Sequence, residues 1–253
     1  MMLKAILFDL DDTLLDWHGF VEEWPTFERA YLRRVYDFVE REHGTLPDFE
    51  AFVKQFRDRT RAAWDAGRGS LLAPNLGHIL LESAEAAGAP LGKLTVDALL
   101  SAYEWTAVPG TVIFPDVADA LVLLRENGIK IAIVTNAYQP MWLRDLEIEA
   151  HGLLQHFPDC RISAADVGYL KPHPAIFQAA FDCLGVTAQE AVFVGDNPIA
   201  DIAGAQGAGM RAVLRVTSPT PPMLSGLIVP DAAVNSLAEL PPILDEWFPG
   251  WRM

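Results

Sequence analysis

The sequence has few cysteines and no apolar run long enough to cross a membrane. Only Cys160 and Cys183 occur among 253 residues, and no CxxC spacing is present. We therefore expect neither a disulfide framework nor a thiolate metal site, and a reducing cytoplasm is the predicted location. The apolar run at the N-terminus reaches acidic residues too soon for a signal peptide, so export is not expected.

Basic residues are also scarce. Lysine and arginine number 19 against 34 aspartates and glutamates, which gives a net charge of -15. Such a charge repels nucleic acid and anionic membrane surfaces, so neither is a predicted partner. An anionic substrate would be repelled too, unless a bound metal ion or a well-placed lysine cancelled the field locally.

Hydrophobic residues are abundant and fall into two patterns. Amphipathic segments at 116–128 and 175–185 have the spacing of helices. Short apolar runs typical of strands buried on both faces occur at 5–8, 130–135, 191–195 and 210–216. The alternation predicts an α/β fold with a doubly wound parallel sheet, in which ligands bind beyond the carboxyl ends of the strands.

One long region lacks strands and reads as helical throughout. Its amphipathic segments lie at 20–44, 49–67, 75–88 and 95–105. Pro25 is expected in the first turn of the first of these helices. We predict a catalytic core formed by residues 1–15 and 108–253, with an all-helical domain inserted at 16–107.

Three carboxylates follow the first predicted strand in the segment FDLDDTL. Side chains alternate along an extended chain, so Asp9 and Asp11 should face one way and Asp12 the other. Two carboxylates that share a crevice repel each other unless a cation or a shared proton compensates. A turn or helix cap would explain one aspartate, but it explains a pair after a buried strand less well.

Polar side chains also follow the other predicted strands. Thr135 and Asn136 end the second, Lys171 lies in a loop before a helix, and Asp196 and Asp201 follow the strand at 191–195. Taken singly, a threonine here is usually a helix cap and a lysine usually a surface charge. Together they supply the hard oxygen ligands that Mg²⁺ prefers and the donors that hold a phosphoryl group in line for attack.

These motifs resemble those of the haloacid dehalogenase-like superfamily, specifically its phosphatase branch with a C1 helical cap. DLDDT at 9–13 resembles the DxDxT motif, IVTN at 133–136 the second motif, Lys171 the third, and GDNPIAD at 195–201 the acidic motif. All four occur in the family's order. The resemblance implies a Rossmann-like core and makes the helical insertion the cap, which would close over the site and exclude water.

The resemblance also implies catalytic roles for the acidic residues. Asp9 would attack phosphorus to form an aspartyl-phosphate. Asp11 would protonate the leaving alcohol and then deprotonate the hydrolytic water. Asp9, the backbone carbonyl of Asp11 and Asp196 would hold Mg²⁺, while Asp201 would act through water or orient a ligand.

Other positions receive supporting roles by the same resemblance. Thr135 and the amide of Asn136 would bind phosphoryl oxygens, and Lys171 would balance their charge. Thr13 would support the loop after the nucleophile, whereas Asp12 has a structural interpretation. No role is assigned to the rings of the insertion that could line a pocket, since rings at helical spacing more often belong to a core: Trp17, His18, Trp24, Trp64 and Trp105.

The function predicted from the sequence is Mg²⁺-dependent hydrolysis of a small phosphorylated metabolite, with no oligomeric state assigned. Haloacid dehalogenases use the same nucleophile without a metal, but they have no counterpart of Asp11, because their leaving group needs no proton. A sugar phosphomutase would share all four motifs and remains an alternative. A phosphoacceptor signalling domain resembling response regulators is a further one, although such domains lack a helical insertion after the first strand. A binding protein on the same fold without catalytic activity is the last alternative.

Overall fold

A six-stranded parallel sheet forms the centre of the protein in the computed structural model, which describes residues 2–44, 46, 48–217 and 227–252. The strands of these residues are β1 (Ala5–Phe8), β2 (Leu15–Asp16), β3 (Val112–Ile113), β4 (Lys130–Thr135), β5 (Cys160–Ser163), β6 (Ala191–Gly195), β7 (Arg211–Arg215) and β8 (Ala232–Val234). The sheet has the order β5-β4-β1-β6-β7-β8, while β2 and β3 form a separate antiparallel pair. The predicted fold class is confirmed.

Helices cover both faces of this sheet. The helices of the described residues are α1 (Trp24–His43), α2 (Phe49–Ser70), α3 (Leu76–Ala86), α4 (Val96–Tyr103), α5 (Val117–Glu126), α6 (Met141–Ala150), α7 (Ala164–Val167), α8 (Pro174–Leu184), α9 (Gly204–Gly207) and α10 (Leu240–Trp247), with a π-helical turn at Pro198–Ala203. Along β1, Ile6 and Phe8 belong to one hydrophobic cluster, whereas Ala5 and Leu7 belong to another. A strand buried on both sides must be apolar throughout, which is why β1 reads as a continuous apolar run.

Helices α1–α4, which we call the cap helices, follow β2 and precede β3. They enclose a third hydrophobic cluster. Pro25 lies in the first turn of α1, as expected. Side-chain caps begin the other three helices: Asp48 accepts from the amide of Glu50, and Asn75 and Thr95 cap α3 and α4 in the same manner. The boundaries of the inserted domain at 16–107 stay a prediction.

Two edge strands were not predicted. β5 contains Arg161 and Ser163 among its four residues, so it lacks the apolar run that marks a central strand. β8 has three residues and, among the described strands, pairs only with β7. An edge strand needs less apolar sequence because one side of it has no neighbouring strand.

The two cysteines form a disulfide bond, contrary to the expectation from their spacing. Cys160 of β5 and Cys183 of α8 are 23 residues apart and have Cα atoms 6.0 Å from each other. The packing of α8 against β5 brings them together, and that contact cannot be read from the sequence interval. The bond removes one argument for a reducing compartment, so the cytoplasmic location stays a prediction. Among the described residues no helix has the length and apolarity needed to span a membrane.

Candidate active site

The loop after β1 separates the first two aspartates into different surroundings. The amide of Asp9 donates to the carbonyl of Val194 at 2.9 Å, so this residue still follows the sheet. Asp12 then adopts a left-handed backbone with φ of +57°, and its amide donates to the carbonyl of Leu15. This tight turn leaves Asp9 buried and Asp11 partly exposed.

Lys171 connects two carboxylates at the centre of the site. Its Nζ lies 2.6 Å from Oδ1 of Asp9 and 2.7 Å from Oδ1 of Asp201, and it also donates to the carbonyl of Val134. Burial lowers the pKa of Lys171, but the neighbouring carboxylates outweigh burial and hold that pKa above its usual value. The ammonium group therefore stays charged.

The side chain of Asn136 holds the Lys171 loop against the end of β4. Its Oδ1 accepts from the amide of Lys171 at 2.7 Å, and its Nδ2 donates to the carbonyl of the same residue at 3.1 Å. The sequence analysis considered only the backbone amide of Asn136. Its side chain adds a positioning contact that the strand-end pattern did not reveal.

Three carboxylates form a compact group at the same edge of the sheet. Asp9, Asp196 and Asp201 each offer an oxygen, and these oxygens lie within 4.8 Å of one another. Burial raises the pKa of Asp9 well above its usual value although Lys171 opposes it, and burial with the charge of Asp201 raises the pKa of Asp196 to about 7. A divalent cation fits this donor set, because it would relieve the repulsion among buried carboxylates.

The carboxylate of Asp11 points to a separate network that the sequence analysis missed. Its Oδ1 accepts from Nε1 of Trp17 at 3.0 Å and from the guanidinium of Arg144 at 2.6 Å. Arg144 also pairs with Glu147 at 3.0 Å, and Trp105 donates to the same Glu147 carboxyl. Burial raises the pKa of Glu147 to about 7 even though Arg144 lowers it.

Most of the site residues predicted from the sequence line one cleft of about 160 Å³. The buried hydroxyl of Thr13 stands outside this lining, and it has no hydrogen-bond partner within the described part of the chain. The cleft is lined by most of the predicted site: Asp9, Asp11, Thr135, Asn136, Lys171, Asp196 and Asp201. Strand ends and loops far apart in the sequence thus meet at one place.

The profile of haloacid dehalogenase-like hydrolases matches residues 3–209. The chain belongs to this family. Its relatives include a glyceraldehyde 3-phosphate phosphatase of Pyrococcus abyssi, 31% identical over 84% of this chain and 81% of the relative. A phosphoserine phosphatase of Thermus thermophilus is 29% identical over 94% of this chain and 98% of the relative. The predicted family and enzyme class, a phosphoric monoester hydrolase, are confirmed.

Solved structures of this family have the same fold. A phosphatase from Thermococcus onnurineus aligns with a TM-score of 0.58 and 28% identity, over 96% of this chain and 98% of the other. A 2-haloacid dehalogenase from Pseudomonas syringae aligns with a TM-score of 0.62 and 27% identity, over 97% and 100%. Phosphatases and dehalogenases thus share this architecture, and the residues of the site must distinguish them.

Proposed function

We propose that the protein is a Mg²⁺-dependent phosphatase that hydrolyses a small phosphorylated metabolite through an aspartyl-phosphate on Asp9. The observation that carries the proposal is the position of Lys171, whose ammonium lies between Asp9 and Asp201 in the cleft that also contains Asp196. Relatives named for phosphoserine and glyceraldehyde 3-phosphate support a small phosphorylated substrate.

The reaction would proceed in two steps. A carboxylate oxygen of Asp9 attacks phosphorus, the bond between phosphorus and the alcohol oxygen breaks, and Asp11 donates a proton to that oxygen. Asp11 then accepts a proton from water, whose oxygen attacks the phosphorus of the aspartyl-phosphate. Inorganic phosphate leaves, and Asp9 is again a free carboxylate.

The other residues would bind the phosphoryl group and balance its charge. The hydroxyl of Thr135 and the amide of Asn136 donate to phosphoryl oxygens, while Lys171 supplies a fixed positive charge. Asp9, the backbone carbonyl of Asp11 and Asp196 would hold Mg²⁺, with Asp201 oriented beside them by Lys171. The bound ion supplies positive charge to the phosphoryl oxygens.

The surroundings of Asp11 favour phosphate chemistry over dehalogenation. Its carboxylate is held by Trp17 and Arg144 and lines both the catalytic cleft and a larger neighbouring cavity. An acid at that junction can protonate an alkoxide leaving group, which a halide does not require. The same position supports an oxygen leaving group in the phosphomutase alternative, so products must be identified as well as phosphate.

The proposal is tested by measuring phosphate release from a panel of phosphorylated metabolites, with and without Mg²⁺. Metal-dependent release by the wild type and none by Asp9→Asn is expected, with circular dichroism showing that the variant folds. Full turnover by Asp9→Asn would contradict the assigned nucleophile. Chloride release from 2-chloropropionate would instead indicate dehalogenation, and interconverted sugar phosphates without release would indicate a mutase.

A further inference from the structure

A large cavity adjoins the catalytic cleft and begins at the proposed general acid. Its volume is about 450 Å³, against about 160 Å³ for the cleft, and Asp11 and Asn136 line both. The phosphoryl group belongs in the cleft with Asp9 and Lys171. Because Asp11 protonates the leaving oxygen in the proposed mechanism, the rest of the substrate must extend from Asp11 into the larger cavity.

Four aromatic side chains line part of this cavity, and most of its other lining residues are polar or charged. Trp17, Trp24 and Trp64 line it together with Tyr138. The ring centres of Trp17 and Trp24 are 6.2 Å apart, and those of Trp64 and Tyr138 are 6.3 Å apart. Of the five rings left without a role by the sequence analysis, these three indoles face the cavity. Indole faces bind flat apolar groups favourably.

Two arginines of the cap helices form no ion pair with a described carboxylate, unlike the other arginines there. Residues 16–107 contain eight arginines, in a chain with an excess of carboxylates. Arg57 and Arg61 have no carboxylate partner among the described residues, and both line the cavity. The other six form ion pairs: Arg29, Arg33, Arg34, Arg41, Arg59 and Arg68.

The positions of these two arginines leave donor groups on the cavity wall that a ligand can use. They are four residues apart on α2, so they lie on the same face one helical turn apart. Arg57 donates to the carbonyl of Pro25 at 2.7 Å, and Arg61 is exposed. Nε of Arg57 and the hydroxyl of Thr60 are buried without a hydrogen-bond partner in the described chain. Buried polar groups are almost always paired, so these two groups are available to water or to a polar group of a bound ligand.

One acidic group on the cavity wall is already held by hydrogen bonds. Glu28 is buried there, and Tyr138 and Tyr103 donate to its Oε1 at 2.5 and 3.3 Å. Burial raises the pKa of Glu28, while these hydrogen bonds and the charge of Arg57 oppose that rise. Arg57 and Arg61 line the same cavity and bring two positive charges to it.

We propose that the substrate is a phosphate monoester whose leaving alcohol has an aromatic body and carries an oxyanion, a carboxylate or a second phosphate, bound by Arg57 and Arg61. This inference rests on the proposed phosphatase function. It differs from the compact substrates named for the relatives, since the three-carbon leaving groups of phosphoserine and glyceraldehyde 3-phosphate are too small to fill 450 Å³.

A matched set of esters tests the proposal. Phenyl phosphate has the ring alone, and the phosphate ester of para-hydroxyphenylpropanoate adds a carboxylate to it. The corresponding amide replaces that carboxylate by a neutral group. The bisphosphate of para-hydroxyphenylethanol carries a second phosphate in its place. We expect kcat/KM at least tenfold higher for one or both anionic esters than for the amide and phenyl phosphate. The better anionic ester identifies the oxyanion. Phosphoglycolate, which has a carboxylate and no ring, should be a poorer substrate than the two anionic aromatic esters.

Variants locate the preference on the cap. Arg61→Gln breaks no hydrogen bond or ion pair of the described chain, and it should lower kcat/KM tenfold for the anionic esters while leaving phenyl phosphate nearly unchanged. Arg57→Gln should act in the same direction. Arg68→Gln on the same helix, paired with Asp65 away from the cavity, is the control and should keep the preference. Equal rates for charged and neutral esters, or a preference that survives Arg61→Gln, would overturn the proposal.

A binding measurement separates this inference from the proposed function. Titration calorimetry with para-hydroxyphenylpropanoate, the alcohol product, requires no turnover. Binding that weakens in Arg61→Gln, without phosphate release from any ester, would retain the cavity assignment and contradict the phosphatase. Phosphate release that depends on Asp9, with no product binding and no preference among esters, would support the phosphatase and contradict the cavity assignment.

Discussion

At the scale of single residues, Asp11 is expected to act in both halves of the reaction. With an activated ester such as para-nitrophenyl phosphate, the first step needs no proton from Asp11, whereas the hydrolysis of the aspartyl-phosphate still needs a base. Asp11→Asn should therefore release a burst of about one nitrophenolate per enzyme molecule and then turn over roughly 10²- to 10⁴-fold more slowly than wild type. Stopped-flow absorbance measures both phases. A steady rate equal to that of wild type, without a burst, would exclude this role.

Glu147 should make stability depend on pH through a second residue-scale effect. Its pKa in the folded protein is about 7, above its value in the unfolded chain, because burial outweighs the ion pair with Arg144. The folded state therefore binds more protons, and its stability falls as pH rises between about 4.5 and 7. The expected loss is about 3 kcal/mol, since one pKa unit corresponds to about 1.4 kcal/mol.

Glu147→Gln removes this titration and keeps an acceptor for Trp105. Urea unfolding at pH 5 and pH 8 should show the variant gaining stability relative to wild type as pH rises. Glu149→Gln, on the exposed face of the same helix, is the matched control and should follow wild type. A Glu147→Gln curve parallel to wild type would mean that the buried carboxyl does not titrate in this range.

At the scale of elements, the contact between β6 and the π-helical turn Pro198–Ala203 leaves no room for a side chain at Gly195. A Cβ there would lie 2.3 Å from Oδ2 and 2.6 Å from Cβ of Asp201, so the turn itself would have to move. Gly195→Ala should cost about 1–3 kcal/mol of stability. It should also lower kcat/KM more than tenfold, because Asp201 would shift from its 2.7 Å contact with Lys171.

Gly69→Ala provides the opposite case on α2. A Cβ at Gly69 meets nothing within 4 Å, and the helical backbone suits alanine. This variant should gain roughly 0.5–1 kcal/mol with unchanged activity. Urea unfolding and phosphate release measured on the two variants test the expected loss of stability in Gly195→Ala and the expected gain in Gly69→Ala. A tolerated Gly195→Ala would contradict the close contact of strand and turn.

The disulfide bond between β5 and α8 is an element-scale crosslink with a measurable contribution. It closes a loop between positions 23 residues apart, which corresponds to about 3 kcal/mol in the loop-entropy treatment. Dithiothreitol should lower the urea midpoint of wild type by a matching amount and leave Cys183→Ala unaffected. Detection of two free thiols in the unreduced, unfolded protein would show that the bond does not form.

At the scale of the whole molecule, the central strands were the most predictable part of the fold. β1, β4 and β6 begin and end where the sequence placed them, because both faces of each are buried and their central positions must be apolar. The edge strands β5 and β8 were missed, since β5 carries polar residues and β8 has only three residues. The apolar pattern of the sequence therefore predicts which strands are buried, not which residues have a high strand propensity.

The candidate site divides in the same way. Its carboxylates follow strand ends and Lys171 lies in a loop before α8, and parallel topology brings these segments to one edge of the sheet, so their order along the chain was informative. The role of Arg144 depends on a contact with Asp11 across 133 residues, and that proposed for Arg57 and Arg61 on the lack of an ion pair with any described carboxylate. Neither property has a local signature, because each is decided by which elements the fold brings together.

The net charge of -15 complicates any test for a metal ion, because every cation screens repulsion in so acidic a protein. A specific Mg²⁺ site should add stability beyond screening. At a hundredfold excess of free ion over its dissociation constant the gain is about 2.7 kcal/mol, and Tm should rise by roughly 5 °C or more. Differential scanning calorimetry in Mg²⁺, against KCl of equal ionic strength, separates binding from screening.

Variants of two neighbouring aspartates complete this prediction. Asp196→Asn removes a carboxylate from the group with Asp9 and Asp201, so it should lose the Mg²⁺-specific rise and the activity together. Asp12→Asn should keep both, because asparagine also tolerates the left-handed backbone there and the carboxylate of Asp12 lies outside that group.

EDTA should inactivate wild type, and Ca²⁺ should restore activity poorly, since its larger and looser coordination does not match that of Mg²⁺. Equal Tm in Mg²⁺ and KCl, with activity retained in EDTA, would show that these carboxylates work without a metal and that Lys171 alone balances the charge of the phosphoryl group.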